Sequence, residues 1–248
     1  MNDFLHAVRA GAGFLTTIPV GIDVDGLQKL GKRMYLFPPL GALIGLIVGS
    51  IGLVLQHLPP YLCSALLVLA LYCITGLNHM DGLIDFGDAI TAHGTPEERV
   101  SIMHDTTTGV GGTVFCVMSL LILFSVIAAI GQNLLFAILI AEIIAKQSML
   151  TAAMFGKSIH KGMGSMFIDN VRHRDFLAGL IFSCIVCWLA LGVGGMLAIV
   201  SALLSALLIV YIASRNFGGV NGDVLGAINE TGRMVALISI GVMTWTLL

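Results

Sequence analysis

The stretch that decides the fold reads YLCSALLVLALYCIT at residues 61–75 and continues as GLNHMDGLIDFGDAITAHGT at residues 76–95. The first part is apolar enough for lipid, yet Asp81, Asp85 and Asp88 follow it closely. Ionisable groups are costly in or beside a bilayer, so they are candidates for a functional site wherever they occur there. The two parts together predict a membrane helix that is followed by a cluster of carboxylates.

The composition of the whole chain is that of a membrane protein. Of its 248 residues, 57% are hydrophobic and 10% are charged, whereas soluble domains carry about 25% charged residues. The mean hydropathy is +0.99, and a soluble domain of this size could not cover its surface with so few charges. The formal net charge of −2 gives no reason to expect nucleic-acid binding, and none is predicted.

Seven apolar runs approach the length of about 20 residues that a membrane-spanning helix needs. They lie at 36–57, 61–79, 111–131, 134–155, 176–196, 198–214 and 234–248. Because the last two are short, the predicted count is six to seven spans. The sequence therefore predicts an all-α, polytopic integral membrane helix bundle, with residues 1–248 as a single membrane-embedded domain.

The connections between these runs fall into two alternating classes. The short ones, near 57–60, 131–133 and 196–198, contain no Lys or Arg. The longer ones carry basic residues and lie at 21–35, 80–110, 156–175 and 215–233. Since basic loops face the cytoplasm, we expect a protein of the cell or inner membrane whose active site faces the cytoplasm.

The three aspartates Asp81, Asp85 and Asp88 are spaced i, i+4 and i+7. They share one face if the second span continues as a helix past Asn78. Carboxylate oxygens suit a hard cation, Mg²⁺ or its possible substitute Mn²⁺, which typically takes one or two carboxylates plus substrate phosphates. The alternative is a solvated helix end, but no Lys or Arg from Met80 to Glu98 balances the acidic charge. The spacing therefore favours a metal site.

A short cytoplasmic helix is predicted next. Thr95 suits the N-cap, Glu98 completes a capping box, and Pro96 suits the first helical position. The helix should run to about His104 and present Asp105 as a fourth carboxylate. The Gly/Thr-rich turn that follows, with Gly109, offers backbone N–H groups and hydroxyls of the kind that bind phosphate.

Two further polar patches lie later in the chain. RNFGGVNGDVLGAINETGR at 215–233 combines a permissive backbone, including Gly222, with the polar side chains of Asn221, Asp223 and Glu230. KSIHKGMGSMFIDN at 157–170 carries Lys157 and Lys161. These lysines either contact anionic groups or are ordinary basic charges on the cytoplasmic side.

One ion pair is predicted inside the membrane. Glu142 and Lys146 lie four residues apart in the fourth span, where such a pair is a candidate for function. A buried structural ion pair explains the same spacing equally well. The first span carries Gly41, Gly45 and Gly49, a spacing that lets helices approach closely, either within the chain or across a homodimer.

Four motifs in order give the chain a resemblance to a known family. HMDGLIDFGDA at 79–89 and ERVSIMHDTTTGVGG at 98–112 resemble the DGLxDxxD and IMxDxxxGxxG signatures of the cobalamin-5′-phosphate synthase family, also called adenosylcobinamide-GDP ribazoletransferase. GMGSMFI at 162–168 is similar to the GLGxxFI segment of that family, and GGVNGDVLGAINE at 218–230 to its GGxTGDxLGAxxE segment. The resemblance extends from about Thr17 to the end of the chain.

The resemblance implies a membrane transferase of the last steps of vitamin B12 assembly. Such an enzyme joins adenosylcobinamide-GDP to α-ribazole or its 5′-phosphate, requires Mg²⁺, and releases GMP with adenosylcobalamin or its phosphate. On this scheme Asp81, Asp85, Asp88 and Asp105 are the catalytic and metal-binding residues, and a carboxylate such as Asp88 takes the proton of the attacking hydroxyl.

The substrate-binding residues expected on the same scheme come from four parts of the chain. They are Gly109, Lys146, Lys157, Lys161, Asn221, Gly222, Asp223 and Glu230. The lysines would supply positive charge to the pyrophosphate, and Asn221, Asp223 and Glu230 would line the ribazole or corrin side.

Two other functions are weighed against this one. A CDP-alcohol phosphotransferase of phospholipid synthesis shares an acidic helix, but its usual DGxxAR and GxxxDxxxD pattern is missing here. A membrane transporter should show midplane charges or internal repeats. The expected partners are therefore the two substrates and the lipid bilayer, with a homodimer possible.

Overall fold

The structure, a computed structural model, describes residues 2–246. Within that range it contains helices and no strand, apart from one bridge between Ser158 and Val220. The helices are α1 (Asp3–Leu15), α2 (Val24–Gly31), α3 (Phe37–Leu55), α4 (Pro60–Thr75), α5 (Asn78–Thr91), α6 (Pro96–Met103), α7 (Val110–Ile130), α8 (Leu134–Phe155), α9 (Met163–Ile168), α10 (His173–Phe217) and α11 (Gly222–Thr246). The predicted all-α class is confirmed.

Four helical segments are long and apolar enough to cross a membrane, which confirms a polytopic membrane bundle. They are α3 with the 3₁₀ turn before it (Met34–Leu55), α7, α8 and α10. The count becomes five if α4 and α5, which meet at 99°, form one broken span. The expected six to seven exceeds this count, and the reasons lie in α10 and α11.

The segment α10 contains both of the predicted spans 176–196 and 198–214. Within it Gly192 has φ 54° and ψ −128°, which is not helical and which glycine adopts without steric cost. A Cβ on Gly195 would overlap the carbonyl oxygen of Cys187, although residues eight apart in a continuous helix lie about 12 Å apart. The chain therefore folds back near Gly192, slightly earlier than the predicted connection at 196–198.

The predicted last span, 234–248, coincides with the C-terminal part of α11, and residues 247 and 248 lie outside the described part of the chain. α11 begins much earlier, at Gly222, and therefore carries Asp223, Glu230 and Arg233. These charged residues lower its mean hydropathy, so that α11 is absent from the spans judged by length and composition.

A sharp bend separates the acidic helix from the membrane helix before it. α4 ends at Thr75 and is closed by Gly76 with φ 71°, so the second span does not continue as one helix past Asn78, which was the condition set for the shared face of the aspartates. α5 turns by 99° from α4 and is about 21 Å long, too short to cross a hydrocarbon core of about 30 Å. The three aspartates nevertheless lie on one helix, as their spacing predicted.

The glycine stripe of α3 packs within the chain. A Cβ on Gly45 would lie 2.6 Å from the Cα of Leu139, and one on Gly49 would lie 2.8 Å from the carbonyl oxygen of Leu135. Both neighbours are backbone atoms of α8 that cannot move aside. The close approach predicted from the small-residue spacing is therefore made between α3 and α8.

Candidate active site

The site is built where α5 and α11 cross. A Cβ on Gly82 of α5 would lie 2.8 Å from the carbonyl oxygen of Asp223, and one on Gly226 of α11 would lie 3.1 Å from that of His79. The two backbones therefore touch, as only glycine allows at such distances. This crossing sets Asp81 of α5 beside Asp223 of α11.

The carboxylates around this crossing repel one another. Burial, together with the charges of Asp81, Asp223 and Asp88, raises the pKa of Asp85 to about 7. Burial is also the main cause that raises the pKa of Asp223. α5 lies outside the four spans, and its aspartates are partly solvated. Because their negative charges repel one another, a cation bound among them would be stabilised.

A cavity of about 310 Å³ opens beside the crossing. Its polar wall is formed by Asn78, His79, Asp81 and Asp223. Gly222, where an added Cβ would meet no heavy atom within 4 Å, also lies on this wall. The first acidic stretch and the distant GVNGD turn therefore meet, and they do so at a cavity.

The opposite wall of the cavity is apolar. It is formed by Phe14, Met149, Met163, Phe167 and Leu225. The rings of Phe14 and Phe167 lie with centroids 5.1 Å apart. These residues come from α1, α8, α9 and α11, and none of them was among the predicted site residues. The GMGSMFI motif, which contains Met163 and Phe167, and the GGVNGDVLGAINE motif, which contains Leu225, pointed toward three of them.

Asn221 holds Asp223 in place. Its side-chain oxygen accepts the N–H of Val224 at 3.0 Å, which makes it the cap of α11. Its amide nitrogen donates to Asp223 Oδ2 at 2.8 Å. The predicted binding residue Asn221 is itself buried and acts here by orienting its neighbour.

Asp88 anchors the start of α7. One of its carboxylate oxygens accepts the N–H of Gly109 and the other that of Gly112, both at 2.8 Å. A carboxylate at a helix N-terminus is favoured by the helix dipole. Two of the N–H groups that the Gly/Thr-rich turn was expected to offer to phosphate, those of Gly109 and Gly112, are therefore occupied by the chain's own Asp88.

Asp105 lies apart from the cavity wall. The preceding helix α6 begins with the predicted capping box, in which Thr95 and Glu98 bond each other's backbone N–H. Asp105 follows it, is exposed, and accepts the N–H of Thr107 at 3.1 Å. It is not among the residues that line the cavity.

Lys146 and Glu230 lie in a buried ionic network. Lys146 Nζ donates to Glu142 at 3.2 Å and to Asn229 at 2.7 Å. Glu230 accepts a hydrogen bond from Tyr72 at 2.9 Å and another from Arg233. All of the charged groups in this network are at most 2% exposed, so Lys146 and Glu230 lie inside the bundle. The pair Glu142 and Lys146 thus matches the second of the two alternatives given for it, a buried structural ion pair.

Lys157 and Lys161 are exposed on the loop between α8 and α9. The carbonyl oxygen of Lys157 accepts the N–H of Val220 at 2.7 Å, which fixes this loop beside the start of α11. Lys161 directly precedes α9, whose Met163 and Gly164 line the cavity. Both lysines therefore belong to a loop that flanks the cavity, although neither side chain lines it.

No ready-made cluster of metal ligands unites the four aspartates. Among residues 2–246, one set of three ligating side chains has all its ligand atoms within 4.8 Å of one another, and it consists of His6, Asp23 and Asp25. Arg9 and Lys29 already pair with those carboxylates, at 2.9 and 2.6 Å, so that group is a neutralised ionic cluster between α1 and α2. A cation at the crossing would rest on fewer carboxylates from the protein.

Comparison with known proteins gives a consistent family. A family model described as cobalamin-5-phosphate synthase matches residues 7–241. The curated protein adenosylcobinamide-GDP ribazoletransferase from Methanosarcina barkeri is 42% identical, over 98% of this chain and 94% of its own length. The protein of the same name from Methanococcoides burtonii is 41% identical, over 96% and 92%. No solved structure matches the chain significantly.

Replacement of Asp88 by Asn should loosen the start of α7, because the amide keeps one acceptor oxygen and loses the charge. We expect Asp88→Asn to lower the free energy of unfolding by about 1–3 kcal/mol, measured by thermal melting in detergent. The matched control is Asp105→Asn, whose side chain is exposed. Equal melting temperatures for the two variants would contradict the anchoring role of Asp88.

Replacement of Lys146 by Met should leave two buried carboxylates with one cation. We expect a loss of about 3–5 kcal/mol, the usual cost of removing one partner from a buried ion pair. The double variant Lys146→Met with Glu142→Gln restores a neutral network and should melt at a higher temperature than the single variant. A double variant that loses as much as the two single changes combined would show that charge balance is not what holds the network.

Proposed function

The chain belongs to the cobalamin-5-phosphate synthase family, and we propose that the cavity beside the α5–α11 crossing is where it joins its two substrates. The protein is a membrane transferase of cobalamin biosynthesis with adenosylcobinamide-GDP ribazoletransferase activity. The observation that carries the proposed site is that Asp81 and Asp223, distant in sequence, share one wall of this cavity.

The reaction transfers a phosphoryl group between two oxygens. A ribose hydroxyl of α-ribazole, or of its 5′-phosphate, attacks the phosphorus on the cobinamide side of the pyrophosphate. A new phosphorus–oxygen bond forms, the bond to the bridging oxygen breaks, and GMP leaves with the electron pair. The attacking hydroxyl gives up its proton, so the site must offer a base on the acceptor's side.

Asp223 is the carboxylate best placed to take that proton. It lies on the cavity wall, is oriented by Asn221 at 2.8 Å, and has a pKa raised by burial. A carboxylate with a raised pKa is a stronger base at neutral pH. Asp88, the base expected from the sequence, is a weaker candidate because both of its oxygens bind the start of α7.

The acidic crossing fits a Mg²⁺ or Mn²⁺ ion held by Asp81 and Asp85. Such ions typically take one or two protein carboxylates and complete their coordination with substrate phosphates and water, so a cluster of three ligands is not required. Burial, together with the nearby charges of Asp81, Asp223 and Asp88, raises the pKa of Asp85, and this closeness of the carboxylates is the observation that supports the assignment. When bound, the ion would stabilise negative charge on the departing GMP.

Positive charge for the pyrophosphate comes from Lys157 and Lys161. Both are exposed beside the start of α11, whereas Lys146 is buried in the ionic network. Since the basic loops of a membrane protein face the cytoplasm, this arrangement supports an active site on the cytoplasmic side, where nucleotide substrates are found.

Replacement of Asp81 by Asn should abolish GMP release from adenosylcobinamide-GDP in the presence of α-ribazole and Mg²⁺, because the amide is a poor ligand for a hard cation. EDTA should stop the wild-type reaction and added Mg²⁺ should restore it. Glu97→Gln, which removes an exposed carboxylate from α6, is the matched control and should retain activity. Near-normal activity of Asp81→Asn would contradict the metal-binding role of Asp81.

Replacement of Asp223 by Asn should remove the base while keeping the shape of the cavity. We expect kcat to fall by about 10²–10⁴-fold, the usual contribution of a general base, with the KM for α-ribazole changed far less. Steady-state GMP release as a function of α-ribazole concentration measures both constants. An unchanged kcat would assign the proton transfer to another group.

A further inference from the structure

The cavity has a polar mouth and an apolar floor. Asn78, Asp81 and Gly222 at the mouth are exposed. The floor is formed by residues that are almost fully buried: Phe167 is 2%, Met149 3% and Leu225 3% exposed. Phe14, which is half-buried, and Met163, which is 58% exposed, extend the apolar side to the surface. A ligand that enters therefore meets carboxylates on one side and aromatic and thioether groups on the other.

The size of the cavity excludes the larger substrate. Its volume of about 310 Å³ lies at the lower end of the range of roughly 300–1,000 Å³ found for pockets that take drug-sized ligands. A corrinoid joined to GDP is several times larger than such a ligand. A single nucleoside, a ribose joined to a planar aromatic base, is within the range.

From these two properties we propose that the cavity is the binding site of the acceptor nucleoside, with its base on Phe14, Phe167 and Met149 and its ribose toward Asp81 and Asp223. The inference rests on the proposed function. It divides the site between the substrates: the nucleoside lies inside the cavity, and the cobinamide-GDP lies across its mouth beside Lys157 and Lys161.

The aromatic wall suits a planar base. The rings of Phe14 and Phe167 lie 5.1 Å apart and are tilted by 38°, and Phe37 packs edge-on against Phe167 at 5.5 Å. Phe37 thus supports Phe167 from behind. Bases stack on such side chains regardless of their exact hydrogen-bonding pattern, and methionine sulfur also contacts aromatic rings favourably.

His79 adds a buried imidazole to the polar wall of the cavity. The residue is 8% exposed and lies on the cavity wall. Among residues 2–246, its Nδ1 has no hydrogen-bond partner. Buried polar atoms without partners are rare, and a turn of this ring toward a bound nucleoside would give the nitrogen a partner.

The test compares the two substrates in one variant. Phe14→Ala should raise the KM for α-ribazole about tenfold, as expected when one base-stacking ring is lost, and should leave the KM for adenosylcobinamide-GDP within about twofold. Binding of α-ribazole alone to the purified protein, measured by titration calorimetry, should weaken by the same factor. Phe176→Ala, which removes a half-buried ring that packs on Phe155 away from the cavity, is the matched control and should change neither constant.

The outcomes separate this inference from the proposed function. Failure of the wild-type protein to release GMP would overturn the proposed function, and the inference with it. Normal GMP release with an unchanged KM for α-ribazole in Phe14→Ala, or with a raised KM for adenosylcobinamide-GDP alone, would overturn only the inference. If Phe14→Ala does not fold, Phe14→Leu keeps most of the volume and removes the aromatic face, and it should shift the same constant in the same direction.

Discussion

The architecture depends on a guanidinium group that is sealed inside a membrane bundle. Arg233 of α11 is 1% exposed and binds Glu142 of α8 and Glu230 of its own helix, while the ring of Tyr72 of α4 lies 5.9 Å from it. Burial of a charge without partners costs several kcal/mol, so these contacts hold three helices in one relative position. Because α11 also touches α5 through Gly82 and Gly226, the same contacts determine where Asp223 meets the acidic helix.

Hydropathy and spacing predicted the helices but not how they turn. The apolar runs, the i, i+4, i+7 aspartates on α5 and the capping box of α6 follow from local patterns, and the structure contains each of them. The bend after Gly76 and the reversal near Gly192 depend on positive φ angles at two glycines. In a chain with 30 glycines, nothing local marks which of them adopt such a conformation. Length and composition mark only four or five of the predicted six to seven spans, because α10 contains two of them and the polar start of α11 is joined to its apolar end.

The candidate site was predicted in its chemistry more than in its contacts. Residue types identified Asp81 and Asp223, which the structure brings to one cavity. They did not reveal that Asp88 would bind the N-terminus of α7, because that bond joins residues 21 and 24 positions apart. The apolar wall was predicted only in part: Phe167 belongs to the GMGSMFI motif, whereas Phe14 and Met149 are ordinary apolar residues in sequence, and only the packing of α1 and α8 turns them toward the same space.

The buried network also bears on how the chain reaches the membrane. Glu142 and Lys146 lie on one helix, and Glu230 and Arg233 lie on another, so each helix carries one acidic and one basic group a single turn apart. A helix of this kind enters lipid with its opposite charges already facing each other, before its neighbour has arrived. In the folded protein both pairs are kept, and Arg233 adds a contact with Glu142 of the other helix. No charge therefore has to lose its partner when the two helices meet.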